Sequence, residues 1–457
     1  MGEEINMLIR EITQWIKRLV LKQKYDLCDV FGCPEQPPQN CPTFLERKIH
    51  KRFLNATKSY NIIVVYGESR QGKTWTIDRY CPSQMRIGCT ASMDIRQIKK
   101  DMLRAVDIEI RDVEHSITEE YSTGSNIYTE VGADLIAQAG GGITTAVAHS
   151  ETLKTTYKTV DVDDSEEFFR ILGEHSENCF FVFDNFHYLT PQIQQQFCSL
   201  LKEFNYRKIK VIIVGVWKES SKITALAPDL VNRCAHIDIG SWSKDELQQV
   251  TLLGENALNI AIAPGVAELF MRCCANNIGI YKDFLQKFCQ NCDVYGTQRR
   301  KTQLNNYCIA ADVADLVIKD AYTPLHDRIK NLTTPQKIKK GSKNVRKKIV
   351  AAILKIIIGD DISSTQSGLA LDRVQKEVEV ICKTQDTPLI QSSNITQELG
   401  NLHLREENRQ TGQNFIPLFY FDKTNRKVLV IEPTIYMIKE YDCKLLQNIL
   451  NELLAVE

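Results

Sequence analysis

No run of apolar residues in this 457-residue chain approaches the ~18 that a membrane-spanning helix needs, which excludes a helical membrane span. Net charge is missing as well. Lysine plus arginine and aspartate plus glutamate stand at 57 each, so only a local patch can attract nucleic acid. The opening stretch MGEEINMLIREITQWIKRLVLKQKY lacks the unbroken apolar core of an export signal. Its charges interleave with apolar residues at helical spacing, and an amphipathic helix over roughly 3–24 is expected. Asn6 stands where a myristoylation signal needs Ser or Thr. With no export signal, the fifteen cysteines read as reduced thiols of a cytoplasmic protein. Cys274, Cys289, Cys292 and Cys308 include one C-x-x-C, but they fall on helical faces, where core packing is a better reading than metal binding. A nuclease, protease or NAD-cleaving constellation is also absent, so effector chemistry of that kind would have to come from a partner.

The length exceeds one compact core and implies two or three domains. From 61 to 240, short β-branched and aromatic runs (NIIVVY, MRIGC, CFFVFD, KVIIVGV, CAHIDIG) alternate with helical stretches. Runs without polar alternation are the mark of parallel strands covered on both faces, so an α/β doubly wound domain is expected. Between the second and third runs lies the Gly-, Ala- and Thr-rich segment 121–164, read as an inserted element that contacts a partner or neighbouring subunit, with a linker as the alternative. Helical patterns fill 243 to about 322. They are followed by the acid-free TPQKIKKGSKNVRKKI, then three helical patterns and two strands joined by KTNR, a winged helix-turn-helix pattern. The expected organisation is an N-terminal helix and Pro/Cys-rich turn (1–43), a nucleotide-binding domain (44–241), a helical lid (242–330), a basic linker (331–349) and a winged-helix domain (350–457).

GESRQGKT (67–74) satisfies G-x-x-x-x-G-K-[ST] between a buried strand and a helix. At such a strand end, backbone N–H groups and the helix N-terminus offer positive potential to phosphates. Gly67 and Gly72 permit the tight turn, Lys73 bridges the β- and γ-phosphates of ATP, and Thr74 supplies a hydroxyl to Mg²⁺. Asp184, closing the run FFVFD, is the carboxylate expected to hold the same ion.

With these motifs the chain resembles the AAA+ ATPases, and more narrowly the branch of origin-recognition, transposition-regulator and bacterial defence ATPases. The resemblance covers roughly 44–322, with the winged helix as a companion. GESRQGKT and FFVFDN match the two Walker motifs, LAPDLVNRCAHIDIG looks like the segment carrying an arginine finger, and WSKDELQQV opens a helical lid. It implies that Arg233 reaches the nucleotide of a neighbouring subunit, making the active site a homo-oligomer interface, and that Lys282 in NNIGIYKDFL stands where the lid's sensing arginine is usual. Two departures bear on hydrolysis. Asn185 follows Asp184 where the family has glutamate, and an amide orients water but cannot take its proton. Beyond the fourth strand, Trp217, Lys218 and Glu219 offer no clear polar sensor. The implied activity is slow ATP hydrolysis by a nucleotide-operated switch, set in prokaryotic antiphage defence or in mobile-element and replication control.

In the C-terminal region, Lys337, Lys339, Lys340, Arg346, Lys347 and Lys348 are candidates for phosphate contacts with double-stranded DNA. SSNITQELGNLHLREEN is the candidate recognition helix, with Asn394 as N-cap and Gln397 completing a capping box. Gln397, Asn401 and Arg405 would face a groove, and Lys423, Arg426 and Lys427 on the wing turn would grip phosphates. Its acids Glu398, Glu406 and Glu407 oppose base reading. The alternative is a signal-transducing scaffold whose winged helix docks a protein effector.

Overall fold

The structure, a computed structural model, describes residues 24–34, 41–90, 92–110, 156–158, 162–175, 179–215, 230, 232–334, 345–407, 417–423 and 425–455. The helix expected over 3–24, most of 121–164, the stretch Trp217–Glu219, and Lys337, Lys339 and Lys340 lie outside the described residues.

Helices α1 (Leu27–Phe31) and α2 (Lys48–Ser59) precede β1 (Ile62–Tyr66), and α3 (Lys73–Tyr80), β2 (Gln84–Gly88) and α4 (Ile95–Ala105) follow. A short parallel pair, β3 (Ile108–Ile110) and β4 (Thr156–Lys158), stands apart from the main sheet. Then come α5 (Ser165–His175), β5 (Phe180–Asp184), α6 (Pro191–Tyr206), β6 (Lys210–Val214) and β7 (Cys234–Asp238). The five apolar runs form one parallel sheet in the order β2-β5-β6-β1-β7. Alternation within the strands explains why helices cover both faces. Ile63, Val65, Val182 and Ile212 pack with Phe53 of α2 and Ile77 of α3, while Ile62, Val64, Phe181 and Ile213 pack with residues of α4, α5 and α6. The first four residues of β1 are fully buried, each worth about 1.5–3 kcal/mol relative to exposure.

The lid comprises α7 (Lys244–Leu258), β8 (Ile260–Ile262), α8 (Pro264–Cys273), α9 (Ile278–Asn291), β9 (Thr302–Leu304) and α10 (Tyr307–Thr333). Ser243 and Glu246 cap α7 reciprocally, as the sequence WSKDE allows. The purely helical reading of this region is corrected by β8 and β9, which pair in parallel.

The C-terminal part is built from α11 (Val345–Gly359), α12 (Ile362–Gln366), β10 (Leu369–Ala370), α13 (Leu371–Thr384), α14 (Ser392–Glu407), β11 (Phe419–Asp422), β12 (Lys427–Val430) and α15 (Thr434–Leu454). Three helices and a sheet ordered β10-β12-β11 make a winged helix. Asn394 is not the N-cap of α14. The helix starts two residues earlier, at Ser392, where the Gln375 amide on α13 holds both the Ser392 carbonyl and the Thr396 hydroxyl. No helix among the described residues is long and apolar enough to cross a membrane.

Candidate nucleotide site

The loop between β1 and α3 sits at the carboxyl end of the sheet, beside the end of β5. Gly67 (φ 149°) and Gly72 (φ 92°) hold backbone conformations closed to L side chains, so the two glycines of the motif are conformationally required. Lys73 opens α3, and its ammonium donates to the carbonyls of Gly67 (2.8 Å) and Glu68 (2.7 Å). Burial pushes this amine down to about 8, against the pull of Asp184 and Glu68. Burial also pushes the Glu68 carboxyl up to about 6, opposed by the Gln71 amide and the charge of Lys73.

The lid is stapled to the loop through backbone carbonyls. Asn277 donates to Ser69 O (2.9 Å), the Gly279 amide to Arg70 O (3.1 Å) and the Trp242 indole to Gln71 O (3.3 Å). Asn277 is fully buried and also caps α9 through the Ile280 amide, so one side chain fixes both the helix start and the loop. Gly279 is needed here for space, since a Cβ would stand 2.6 Å from that of Arg70. Arg47 ties the third side. It donates to the carbonyls of Ile239 and Ser241 and to Glu246, and its guanidinium lies 4.4 Å above the Trp242 ring.

Between loop and lid opens a cleft of about 660 Å³, within the range of small-molecule sites. Gly72, Lys73, Thr74, Asp184 and Asn185 line the loop side, Ile278, Gly279 and Lys282 the lid side, and Phe44, Leu45 and the buried His50 line it as well. The Thr74 hydroxyl and Asp184 carboxylate are hard oxygen donors on the same cleft, a set that fits Mg²⁺ beside a triphosphate. Lys282 is 3 % exposed, with its ammonium 4.4 Å from the Trp75 ring and 3.9 Å from Cys41 Sγ. The lid therefore does present a cation to the cleft.

No protein-family model and no curated protein matches this sequence. Solved structures do. The Walker-type ATPase PABY2304 of Pyrococcus abyssi matches with a TM-score of 0.53 at 11% identity, over 90% of this chain and 99% of that one. The chain has the fold of this Walker-type ATPase. Fainter likenesses are to Cdc6p from Pyrobaculum aerophilum (TM-score 0.38, 13% identity, 91% of this chain and 98% of that) and to the Aeropyrum pernix Orc1 protein in complex with DNA (TM-score 0.36, 11% identity, 94% and 97%).

Within this ATPase fold, Asn185 adopts the left-handed conformation (φ 57°, ψ 36°) and leads a 3₁₀ turn, Phe186–Tyr188. Asparagine enters that region far more readily than glutamate, which gives the departure at this position a backbone reason. Arg233 is exposed and sits just before β7, at the end of the strand remote from the loop: Cys234 pairs with Ile62, Asp238 with Tyr66. Along the strand that is about 15 Å from its own site, too far to serve it in cis. The sequence reading missed Arg86. From β2 it reaches Asp184 Oδ2 at 2.8 Å and Asp78 of α3 at 2.5 Å. It missed Arg47, Gln71 and Asn277 too. Of these only Asn277, an Asn just before a helical run, carried a readable signal.

The winged helix of the ATPase fold uses much of its charge internally. Arg346 is bound to Glu398 (2.8 Å) and to the Leu332 carbonyl, and Lys348 to Thr387 and Cys382. Lys347 donates to the Ala455 carbonyl, Lys427 to the Ser367 carbonyl, and Arg426 meets Asp372 at 3.2 Å. Glu406, 3 % exposed, accepts from Arg328 and from the Leu418 amide. Thus Glu398 and Glu406, expected to oppose base reading, are paired with arginines inside the domain. Gln397, Asn401 and Lys423 line one shallow hollow with Ser393, Thr396 and Gly400. The side chain of Arg405 lies outside the described residues.

Proposed function

We propose that this chain binds ATP with Mg²⁺ in the cleft between phosphate loop and lid, hydrolyses it slowly, and uses the bound state to set the position of its winged helix against double-stranded DNA. The observation that carries the reading is the convergence of Lys73, Thr74, Asp184 and Lys282 on one cleft. The loop amides and Lys73 receive the phosphates, and Thr74 and Asp184 hold the metal, which when bound neutralises charge building on the β- and γ-oxygens. Asn185 orients water toward the γ-phosphate through its amide but leaves the proton without a base, hence slow turnover. Arg233, exposed and remote from its own cleft, would complete the site of a neighbouring copy. From the sequence resemblance we take the setting, antiphage defence or the control of mobile elements and replication.

Calorimetry with ATP and Mg²⁺ tests the core of this reading. Wild type binds, and Lys73→Ala loses at least about a hundredfold in affinity, since the phosphates lose the ammonium that opens α3. Unchanged affinity in that variant sinks the assignment. Sedimentation with a non-hydrolysable analogue tests assembly: species grow with analogue present, and Arg233→Ala keeps ATP binding but loses hydrolysis. A variant that hydrolyses normally as a monomer makes Arg233 structural.

A second reading is favoured by the internal pairing of Arg346, Lys348 and Arg426: a winged helix that docks a protein effector. Fluorescence anisotropy on DNA duplexes over a salt series separates the two. With Lys337, Lys339, Lys340 and Lys423 as the phosphate contacts, log affinity falls with log salt at a slope of roughly −4. Salt-insensitive binding, or none, gives the domain to the docking reading.

A further inference from the structure

Asp184 already has a cation. Arg86 Nη1 lies 2.8 Å from Asp184 Oδ2, and the other carboxylate oxygen accepts the Asn185 amide at 3.0 Å. The placement follows from the sheet. Arg86 pairs in register with Val182 on β5, so its side chain leaves the same face two residues before Asp184, a diagonal that a guanidinium spans. Under that face runs α3, whose Asp78 holds the second guanidinium nitrogen at 2.5 Å, and Gln84 also donates to Asp78. One arginine is therefore shared between a carboxylate that positions it and the carboxylate expected to hold the metal.

We propose that Arg86 is a positioning residue that competes with Mg²⁺ for Asp184. The inference rests on the ATP·Mg²⁺ reading of the cleft. While Arg86 occupies Oδ2, a divalent ion approaching Thr74 and Asp184 must displace or share a charge-assisted hydrogen bond. The same guanidinium adds a positive charge beside a carboxylate that lines the cleft. Both effects act in one direction: nucleotide is held with little help from the metal, and the metal is held weakly. Arg86 and Asp184 keep 30 % and 23 % side-chain exposure, so water screens the pair and the coupling is moderate. Asp78 tunes it by drawing the guanidinium toward α3.

The experiment is a linkage measurement on the full chain. Affinity for a fluorescent N-methylanthraniloyl ATP is measured in EDTA and at saturating Mg²⁺, and the ratio of the two reports how strongly metal and nucleotide support each other. Electron paramagnetic resonance with Mn²⁺ then reads cation binding directly. Wild type gives a small ratio. Arg86→Gln raises it about tenfold and tightens Mn²⁺, Arg86→Lys stays near wild type, and Asp78→Asn lowers the ratio by releasing Arg86 to Asp184. Opposite signs for Arg86→Gln and Asp78→Asn are the signature, because a purely structural bridge would weaken metal binding in both. An unchanged ratio in Arg86→Gln, or the same sign in both variants, overturns the proposal. If Arg86→Gln does not fold, Arg86→Met is read in its place, with the same rise in the ratio expected and an unchanged or lower ratio overturning the proposal. Loss of nucleotide binding by wild type in both buffers would instead refute the ATP reading itself.

Discussion

Charge is arranged differently around the cleft and in the winged helix. Lys282 is buried and Lys73 half-buried, and their amines contact backbone carbonyls, a thiol and an indole ring, with Asp184 and Glu68 acting on Lys73 only through space. In the C-terminal region Arg328, Arg346, Lys355 and Arg373 each meet a carboxylate. A buried cation without an anionic partner is costly to the folded state, and such groups concentrate where a ligand brings the missing charge. Cations already matched to acids hold elements together. The difference separates a site from a scaffold better than the number of basic residues does.

The scaffold half of that contrast predicts the largest effect. Arg328→Ala leaves Glu406 buried beside Glu432, and urea unfolding should show a loss of about 3–5 kcal/mol with ATP binding to the folded protein retained. A loss under about 1 kcal/mol would make the triad a surface ornament and blur the distinction.

On the site half, Asn185→Glu supplies the base the cleft lacks. Hydrolysis at saturating ATP should rise by about a hundredfold at most, reduced by the ~1–2 kcal/mol that glutamate pays in a left-handed conformation. No increase would mean that proton removal does not limit turnover.

His50, buried in the lining of the cleft, gives a pH effect of known sign. Burial pushes its imidazole down from 6.5 to about 4, helped by the neighbouring Arg47 charge and opposed by Glu46 and Glu246. The unfolded chain therefore takes up this proton first. The contribution of neutral His50 is complete above pH 6.5 and is lost as pH falls toward 4, about 2 kcal/mol between pH 7 and pH 5. Urea midpoints across that window should fall less in His50→Asn; parallel curves would remove His50 as the cause. The smallest effect is on the wing. Lys423→Ala should flatten the salt dependence of DNA binding by about one unit of slope, and no change would take Lys423 off the DNA face.

What could be read in advance followed the range of the physics involved. The loop, the five strands and Asp184 are fixed by local backbone demands, such as glycine at positive φ and unbroken apolar runs, and these show in a few consecutive letters. Arg86 reaches Asp184 across 98 residues and Arg47 reaches Glu246 across 199, contacts that no spacing encodes. The basic run misled for a related reason. Arg346 and Lys348 look like neighbours of free lysines in the sequence, but α11 begins at Val345 and turns them onto Glu398 and Thr387. α14 begins at Ser392, two residues before Asn394, and Gln375 on another helix tethers this first turn by donating to the Ser392 carbonyl and the Thr396 hydroxyl.

The apolar packing of the lid has a consequence for how the chain can be cut or recombined. Phe270, Phe284, Val317 and Ile329 of the lid belong to the same continuous core as Ile349, Leu354, Ile435 and Leu446 of the winged helix, while the sheet keeps separate cores on its two faces. The winged helix is thus no detachable module. The seam of this protein runs between β7 and α7, where a few hydrogen bonds to loop carbonyls and the side chain of Arg47 form the join. A chimera that borrowed another winged helix would have to bring that domain's own lid with it, and would inherit whatever hinge those loop contacts allow.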